Sequence, residues 1–267
     1  MQINNITLIS PGGNDTALVP NQNYDAGEKK LINDLIMKKF PNIEQVGFID
    51  LTDKYRPNLQ MAGGEFCGNA TRSTAWLSLS GQSGEINVQV SGISCRLKAG
   101  VNKQGYAWVE MPVPDDINLK TIDKYTLVPL DGITQVISKE TYDLTSSDDI
   151  KKRGMAILGR LNLVDNPQIP AAGVMFIDQS KDEIVAKPVV WVRDIQTCFY
   201  ETACGSGTAA VGLYLAKQGG QKQATYSVLQ PSGMSIIVTV DLTGKKPAVI
   251  ISGPIKIIQQ NATINTL

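Results

Sequence analysis

Two cysteines of this chain sit in matching surroundings, Gly63-Gly64-Glu65-Phe66-Cys67-Gly68-Asn69-Ala70-Thr71 and Tyr200-Glu201-Thr202-Ala203-Cys204-Gly205-Ser206-Gly207-Thr208. Each precedes an apolar helix-forming run, residues 75–79 in one case and 209–216 in the other. Each run stops at glycine, Gly81 and Gly219-Gly220, where a helix C-cap is expected. The pattern predicts a thiol at each helix N-terminus, in a positive field of roughly half an elementary charge. Such a field lowers a thiol's pKa from about 8.5 and makes thiolate available near neutrality. One such cysteine suggests a nucleophile, whereas two in matching halves suggest a base and an acid facing each other.

The elements that must position these thiols repeat as well. Val88-Gln89-Val90-Ser91-Gly92-Ile93-Ser94 follows the first helix, and Val228-Leu229-Gln230-Pro231-Ser232-Gly233-Met234-Ser235 the second. Both copies then run into an alternating strand that ends in proline, Pro112 and Pro254. From cysteine to proline the offset between the copies drifts by only a few positions, as loop insertions produce. A repeat this long implies two similar domains rather than a solenoid, whose periods are about 20–50 residues. Helices are expected at 26–39, 69–80, 147–160 and 207–217. Leu31, Ile32, Leu35 and Ile36 supply i, i+4 apolar spacing in the first. Strand-like runs lie at 3–9, 16–19, 47–51, 86–90, 97–101, 173–177, 189–192, 227–229 and 235–240. The loop-like stretch 112–123 is the natural boundary. It divides a first half, 1–118 with Cys67, from a second, 119–254 with Cys204, and the tail 255–267 is expected to pack back on the first. One helix per strand cluster with glycine-rich turns points to α+β halves rather than a doubly wound sheet.

Composition restricts the chemistry further. The chain contains no histidine, which excludes Ser-His-Asp and Cys-His catalysis and imidazole-ligated zinc. A zinc site of cysteines alone would need Cys67, Cys95, Cys198 and Cys204 together, and these lack paired CxxC spacing, so no metal is expected. Proton chemistry must then run on Cys, Asp, Glu, Lys or Tyr. No P-loop or GxGxxG fingerprint is present, and no segment argues for a pyridoxal lysine, so no cofactor is expected. Lys plus Arg equals Asp plus Glu, 25 each, which gives no attraction to nucleic acid or anionic lipid. No apolar stretch approaches the roughly 18 residues of a membrane span. The N-terminus lacks a signal peptide's basic and apolar regions. A soluble cytoplasmic protein with reduced thiols is the expectation.

Three motifs, Gly12-Gly13-Asn14-Asp15, Cys67-Gly68-Asn69-Ala70 and Cys204-Gly205-Ser206-Gly207, resemble those of cofactor-independent amino-acid racemases of the diaminopimelate epimerase-like fold. The resemblance implies two pseudo-symmetric α+β domains, each a curved sheet around a central helix, each giving one cysteine to a closed cleft. One thiolate removes the α-proton and the other cysteine delivers a proton to the opposite face. Backbone amides of Gly68, Asn69, Gly205 and Ser206 would hold the substrate carboxylate as its charge grows. Glycine after each cysteine would allow close backbone approach. Asn14 is implied as a substrate contact. Asn58, nine residues before Cys67, matches a substrate-contacting Asn of the epimerases.

The chain departs from true diaminopimelate epimerases in two places. Their Glu-Arg pair before the second cysteine is replaced by Asp194-Ile195-Gln196-Thr197-Cys198, with Arg193 further upstream. Their Asn-Pro-His segment is replaced by Pro170-Ala171-Ala172-Gly173-Val174-Met175-Phe176. Both losses argue against a meso-diacid substrate. Glu44-Gln45-Val46-Gly47-Phe48-Ile49, the Cys67 segment, Ile195-Gln196-Thr197 and Glu201 are more similar to the histidine racemases of this fold, including those supplying D-histidine for opine-type metallophores. That resemblance implies an amino-acid substrate, an imidazole partner among Glu44, Gln45 and Glu201, and a homodimer. Diaminopimelate or another amino acid remains the alternative substrate. A ligand-binding protein, or one using Cys67 and Cys204 as a redox disulfide, is the non-enzyme alternative. Glu65 and Glu201 could equally serve only to favour the helix dipoles. Cys95 and Cys198 are expected to be small core residues.

Overall fold

A computed structural model of the chain describes residues 2–140, 146–180, 183–193 and 196–265. Asp194 and Ile195, part of the segment compared above, lie outside the described residues. The fold divides into two compact units, Met1–Val109 with Ser252–Leu267, and Glu110–Ile251.

The first unit opens with an antiparallel pair, β1 (Gln2–Ser10) and β2 (Thr16–Pro20). Helix α1 (Ala26–Lys39), found where the apolar spacing predicts it, starts at a capping box between Asp25 and Glu28. It buries Ile32 and Ile36 against Ile3, Ile6, Val19 and Phe48. The crossover returns the chain as β3 (Gln45–Asp50), parallel to β2, and β4 (Asn58–Met61) pairs antiparallel with β3. Helix α2 (Gly68–Ser78) follows, then β5 (Gly84–Val90) parallel to β4, and the antiparallel β6 (Leu97–Val101) and β7 (Ala107–Glu110). The C-terminal strand, β17 in chain order (Lys256–Asn265), pairs antiparallel with β1.

The second unit begins with β8 (Lys120–Ile122) and repeats this plan. β9 (Tyr125–Leu130) and β10 (Ile133–Ser138) form the antiparallel pair. Helix α3 (Ser147–Arg160) is the crossover to β11 (Ala171–Asp178), parallel to β10. β12 (Ile184–Val192) runs antiparallel to β11 and turns into β13 (Thr197–Tyr200). Helix α4 (Gly205–Gln218) leads to β14 (Gln223–Leu229), parallel to the start of β12, then to β15 (Ser235–Asp241) and β16 (Ala248–Gly253). The order antiparallel, parallel, antiparallel, parallel, antiparallel is the same in both units.

In each unit one helix is enclosed by strands. α2 packs against β2, β3, β5 and β6, and α4 against β9, β10, β11, β14 and β15. Every residue of α2 from Gly68 to Ala75 is buried, and α4 buries Ala209, Ala210, Val211, Leu213, Leu215 and Ala216. α4, apolar on nearly all sides, is stable only when covered in this way, whereas α2 buries the polar Asn69, Thr71, Arg72, Ser73 and Thr74. Left-handed Gly81 (φ 72°) and Gly220 (φ 64°) turn the chain away beyond the two helix ends.

Several expectations shift. α2 and α4 begin at Gly68 and Gly205, not at 69 and 207, because the cysteine itself is the N-cap. The stretch 112–123, expected to be loop, contains β8. No helix among the described residues is long and apolar enough to cross a membrane.

Candidate active site

The two cysteines occupy almost the same backbone conformation, Cys67 at φ −132°, ψ 110° and Cys204 at φ −126°, ψ 111°. Each takes the place of the usual Ser, Thr or Asp N-cap. Ala70 N–H donates to Cys67 Sγ at 3.4 Å, and Gly207 N–H donates to Cys204 Sγ at 3.4 Å. The threonine four residues on closes each first turn: Thr71 Oγ1 donates to the Cys67 carbonyl at 2.7 Å and Thr208 Oγ1 to the Cys204 carbonyl at 2.6 Å. Both sulfurs therefore sit at the positive end of a helix and accept from its third amide, an arrangement that favours negative charge on sulfur. The amides of Gly68, Asn69, Gly205 and Ser206 belong to the first turn, where a helix offers donors without intrahelical acceptors.

Around Cys67 the structure gathers most of the unit's expected site residues. Gly12 (φ 84°), Gly13 (φ 105°) and Asn14 (φ 56°) form a left-handed run that turns Asn14 inward, leaving it 2 % exposed. Asn14 Oδ1 lies 3.9 Å from Cys67 Sγ. The next carbonyl, of Asp15, accepts the amides of both Glu44, at 2.8 Å, and Gln45, at 3.3 Å. The half-buried Glu44 and Gln45 are thus tied to the turn that carries Asn14. Asn69 is buried, and its Oδ1 accepts from Arg72 Nε at 3.2 Å. Burial pushes the Glu65 carboxyl up from its ordinary pKa, while the amides of Gly63 and Glu65 pull it back. Asn58 opens β4, where its Oδ1 accepts from Arg96 Nη2 at 3.2 Å. Arg96 also donates to the carbonyls of Arg56, Pro57 and Asn87, so Asn58 belongs to a brace between strands.

Cys204 is more enclosed, 4 % exposed. Its thiol is pushed well up, first by burial and then by the Glu201 carboxylate, which is hydrogen-bonded to it. Ser206 Oγ, 3.5 Å from Cys204 Sγ, and the Gly207 amide pull the other way. Glu201 is itself 9 % exposed, with its amide held by the Pro188 carbonyl at 3.1 Å. Two buried glutamines that sequence reasoning passed over complete the support. Gln135 Nε2 donates to Ser206 Oγ at 3.0 Å. Gln230 Oε1 accepts the Cys204 amide at 3.1 Å, and its Nε2 donates to Thr208 Oγ1 and the Val228 carbonyl. Gln230 stands beside the repeated Ser-Gly pair, which was a usable signal; Gln135 had none in its own segment. In the first unit the overlooked residue is Arg72, whose signal was being the one charge in α2.

The remaining cysteines part company. Cys198, on β13, packs half-buried against the second unit's core, and burial raises its pKa. Cys95 does not fit the core expectation: it is exposed in the turn between β5 and β6, outside the apolar alternation that begins at Leu97. Among the described residues no group of three or more Cys, Asp or Glu is arranged to hold a metal ion.

With this geometry in view, comparison with known proteins is specific. Residues 4–263 match the sequence model of the histidine racemase CntK N-terminal domain. A histidine racemase of Fusobacterium nucleatum is 33 % identical over 280 residues, covering 97 % of each chain. One from Staphylococcus aureus is 27 % identical, covering 89 % of each. Among solved structures, a hydroxyproline epimerase from Agrobacterium vitis superposes with a TM-score of 0.67 at 14 % identity, covering 98 % of this chain and 92 % of that one. A phenazine biosynthesis PhzF-family protein from Enterococcus faecalis gives 0.62 at 14 % identity over the full length of both. The fold is therefore of the diaminopimelate epimerase-like α+β type, with the enclosed helices α2 and α4 as its two centres. The near-complete match to the family and the end-to-end relative place the chain in the histidine racemase family, and it is an amino-acid racemase.

Proposed function

We propose that this racemase interconverts L- and D-histidine, with Cys67 and Cys204 acting on opposite faces of the substrate Cα. The observation that carries the reading is the pair of matched N-caps, each presenting a sulfur to the positive end of a buried helix. One cysteine, as thiolate, takes the α-proton and becomes a thiol. The other, as thiol, gives its proton to the opposite face and becomes the thiolate. In between, the carbanion's charge spreads onto the substrate carboxylate as an enediolate, which first-turn amides of α2 and α4 would stabilise.

Histidine as substrate is supported by the family and by the activity named for the F. nucleatum and S. aureus relatives. A buried imidazole N–H left unpaired costs about 1–3 kcal/mol, so the pocket needs an acceptor. Glu44 and Gln45, tied to the Asn14 turn, and Glu201 beside Cys204 are the acceptors in reach of the reading. Resemblance to the family also supports a homodimer, which sedimentation of the purified protein tests.

The test is racemisation of L-histidine in D2O with reductant, followed by circular dichroism and by loss of the Cα proton signal. Cys67→Ser and Cys204→Ser are each expected to lower the rate by about 10²–10⁴-fold, the worth of a positioned acid or base, since serine is a poor base at neutral pH. Turnover near the wild-type rate in either variant overturns the two-thiol mechanism.

A further inference from the structure

Arg72 is 0 % exposed, and it is the one charged residue in the sequence of α2. A buried cation is strongly disfavoured unless a partner compensates it, and buried charges are accordingly paired. The partners bonded to this guanidinium are neutral: Nε donates to Asn69 Oδ1 at 3.2 Å, and Nη2 donates to the Pro11 carbonyl. Nη1 is buried with no hydrogen-bond partner. The elements packed on α2 offer little compensation. β2 carries no titratable side chain, Asp50 of β3 is bonded to Thr52, and Glu85 of β5 and Lys98 of β6 are exposed. Asp15, in the turn after Pro11, is only half-buried, and burial drives the Glu65 carboxyl toward its neutral form. The ionisable group that acts on Arg72 is Cys67, at the N-cap of the same helix.

We propose that Arg72 is the fixed countercation of the Cys67 sulfur, so that the resting enzyme holds Cys67 as thiolate and Cys204 as thiol. The proposal rests on the two-thiol reading above and adds an order to it. Burial brings the Arg72 guanidinium down to about 10, with Cys67 opposing the fall, so it stays charged at neutral pH. At the other sulfur the neighbouring charge has the opposite sign, the Glu201 carboxylate. A cation at one sulfur and an anion at the other bias the pair toward a single protonation state. The enantiomer whose α-hydrogen meets Cys67 is then taken up by the resting enzyme directly, and its turnover leaves Cys67 as thiol, carrying the substrate's α-proton, and Cys204 as thiolate, its own proton now on Cα.

Arg72 is a positioning residue in this account, acting through Cys67, and bracing of the Pro11 turn alone would not change a thiol's titration. The test is alkylation of the reduced full-length protein with iodoacetamide, resolved by peptide mass spectrometry as a function of pH. The pH midpoint of reactivity, unlike the rate, does not depend on access. In the wild type the Cys67 midpoint is expected at least about one pH unit below that of Cys204. Arg72→Gln raises the Cys67 midpoint by about one unit and leaves that of Cys204 in place, whereas Arg72→Lys restores most of the shift. A wild-type Cys67 midpoint at or above that of Cys204, or one indifferent to Arg72→Gln, overturns the proposal. If Arg72→Gln does not fold, the stability of Cys67→Ser decides. A thiolate paired with Arg72 has a depressed folded-state pKa, so its contribution grows with pH up to the unfolded value of about 8.5. The stability gap between wild type and Cys67→Ser must therefore be wider in mild alkali than in mild acid, and a gap independent of pH overturns the pairing. Normal racemisation by Cys67→Ser removes the two-thiol reading itself; inactive serine variants with midpoints blind to Arg72 remove only the role of Arg72.

Discussion

At the scale of residues, the two catalytic candidates share a backbone and differ in their neighbours. Cys204 lies against Glu201, and that carboxylate is the second cause, after burial, of its raised pKa. Replacing Glu201 by Gln removes the like charge and keeps the side chain's size. The thiolate is then disfavoured less, so the pH midpoint for alkylation of Cys204 should move down, yet stay above the ordinary thiol value because burial persists. Peptide-resolved alkylation of the variant measures this directly, and an unmoved midpoint would mean the Glu201 charge is not felt at the sulfur. The same contrast shows what could be read beforehand. Cys67, Cys204 and Asn14 announce themselves through short motifs whose glycines and helix-forming sequels are local. Arg72, Gln135 and Gln230 work through contacts made only when distant strands close on the helices, 61 residues away in sequence for the bond from Arg72 to Pro11 and 71 for Gln135 to Ser206. Cys95 misleads for a different reason: it stands between Ser94 and Arg96 in an exposed turn, two residues before the buried alternation of β6 begins at Leu97.

At the scale of elements, the Ser-Gly turn after each central helix braces the segment two residues ahead of each cysteine. Ser91 Oγ donates to the Glu65 carbonyl at 2.8 Å, and the Ser232 amide donates to the Thr202 carbonyl at 3.0 Å. The glycines that follow, Gly92 (φ 80°) and Gly233 (φ 79°), share a left-handed conformation but not an environment. A Cβ on Gly92 would lie 2.5 Å from the Phe66 amide nitrogen, one residue before Cys67, whereas one on Gly233 meets nothing within 4 Å. Gly233→Ala should cost only the left-handed strain, about 1–2 kcal/mol. Gly92→Ala adds overpacking against backbone, about 1–3 kcal/mol more, and displaces the Cys67 N-cap. Urea unfolding should rank the two variants in that order, and only Gly92→Ala should lose racemase activity out of proportion to its stability. Equal losses in the two would mean the brace before Cys67 is not rigid. The helices and β1, β2, β3, β5, β6, β11 and β15 were legible from periodicity and caps, whereas β12 and β14 were legible only in their final residues. Short β4 and β13 carry too few residues for alternation to register, and β17 is a largely exposed, polar strand held by its pairing with β1. The β9–β10 hairpin did have a signal, the Asp131-Gly132 turn between Leu130 and Ile133.

At the scale of the whole molecule, one plan is used twice, and the proposed substrate preference rests on the differences between the copies. A meso-diacid carries a second carboxylate, and a pocket for it needs a cation with donors to spare. The second unit's arginine nearest to the place where true diaminopimelate epimerases carry theirs is Arg193, and its Nε and Nη2, three of the guanidinium's five donors, are already committed. Nε donates to the Ile169 carbonyl at 2.8 Å, and Nη2 to those of Val164 and Asn166 at 2.7 and 2.6 Å, with the group lying over Trp191. Freeing it would break three hydrogen bonds from a charged donor, each worth about 1.5–3 kcal/mol. Arg72, the buried arginine of the first unit, is held inside the fold by Asn69 of α2 and the Pro11 carbonyl. An imidazole asks for an acceptor, the chemistry proposed above for Glu44, Gln45 and Glu201. Histidine should therefore exceed LL-diaminopimelate by at least about tenfold in kcat/KM, equivalent to about 1.4 kcal/mol of transition-state discrimination. Measured initial rates of Cα exchange for the two substrates under the same conditions give this ratio. A preference for diaminopimelate would overturn the substrate assignment while leaving the fold and the paired N-caps as they stand.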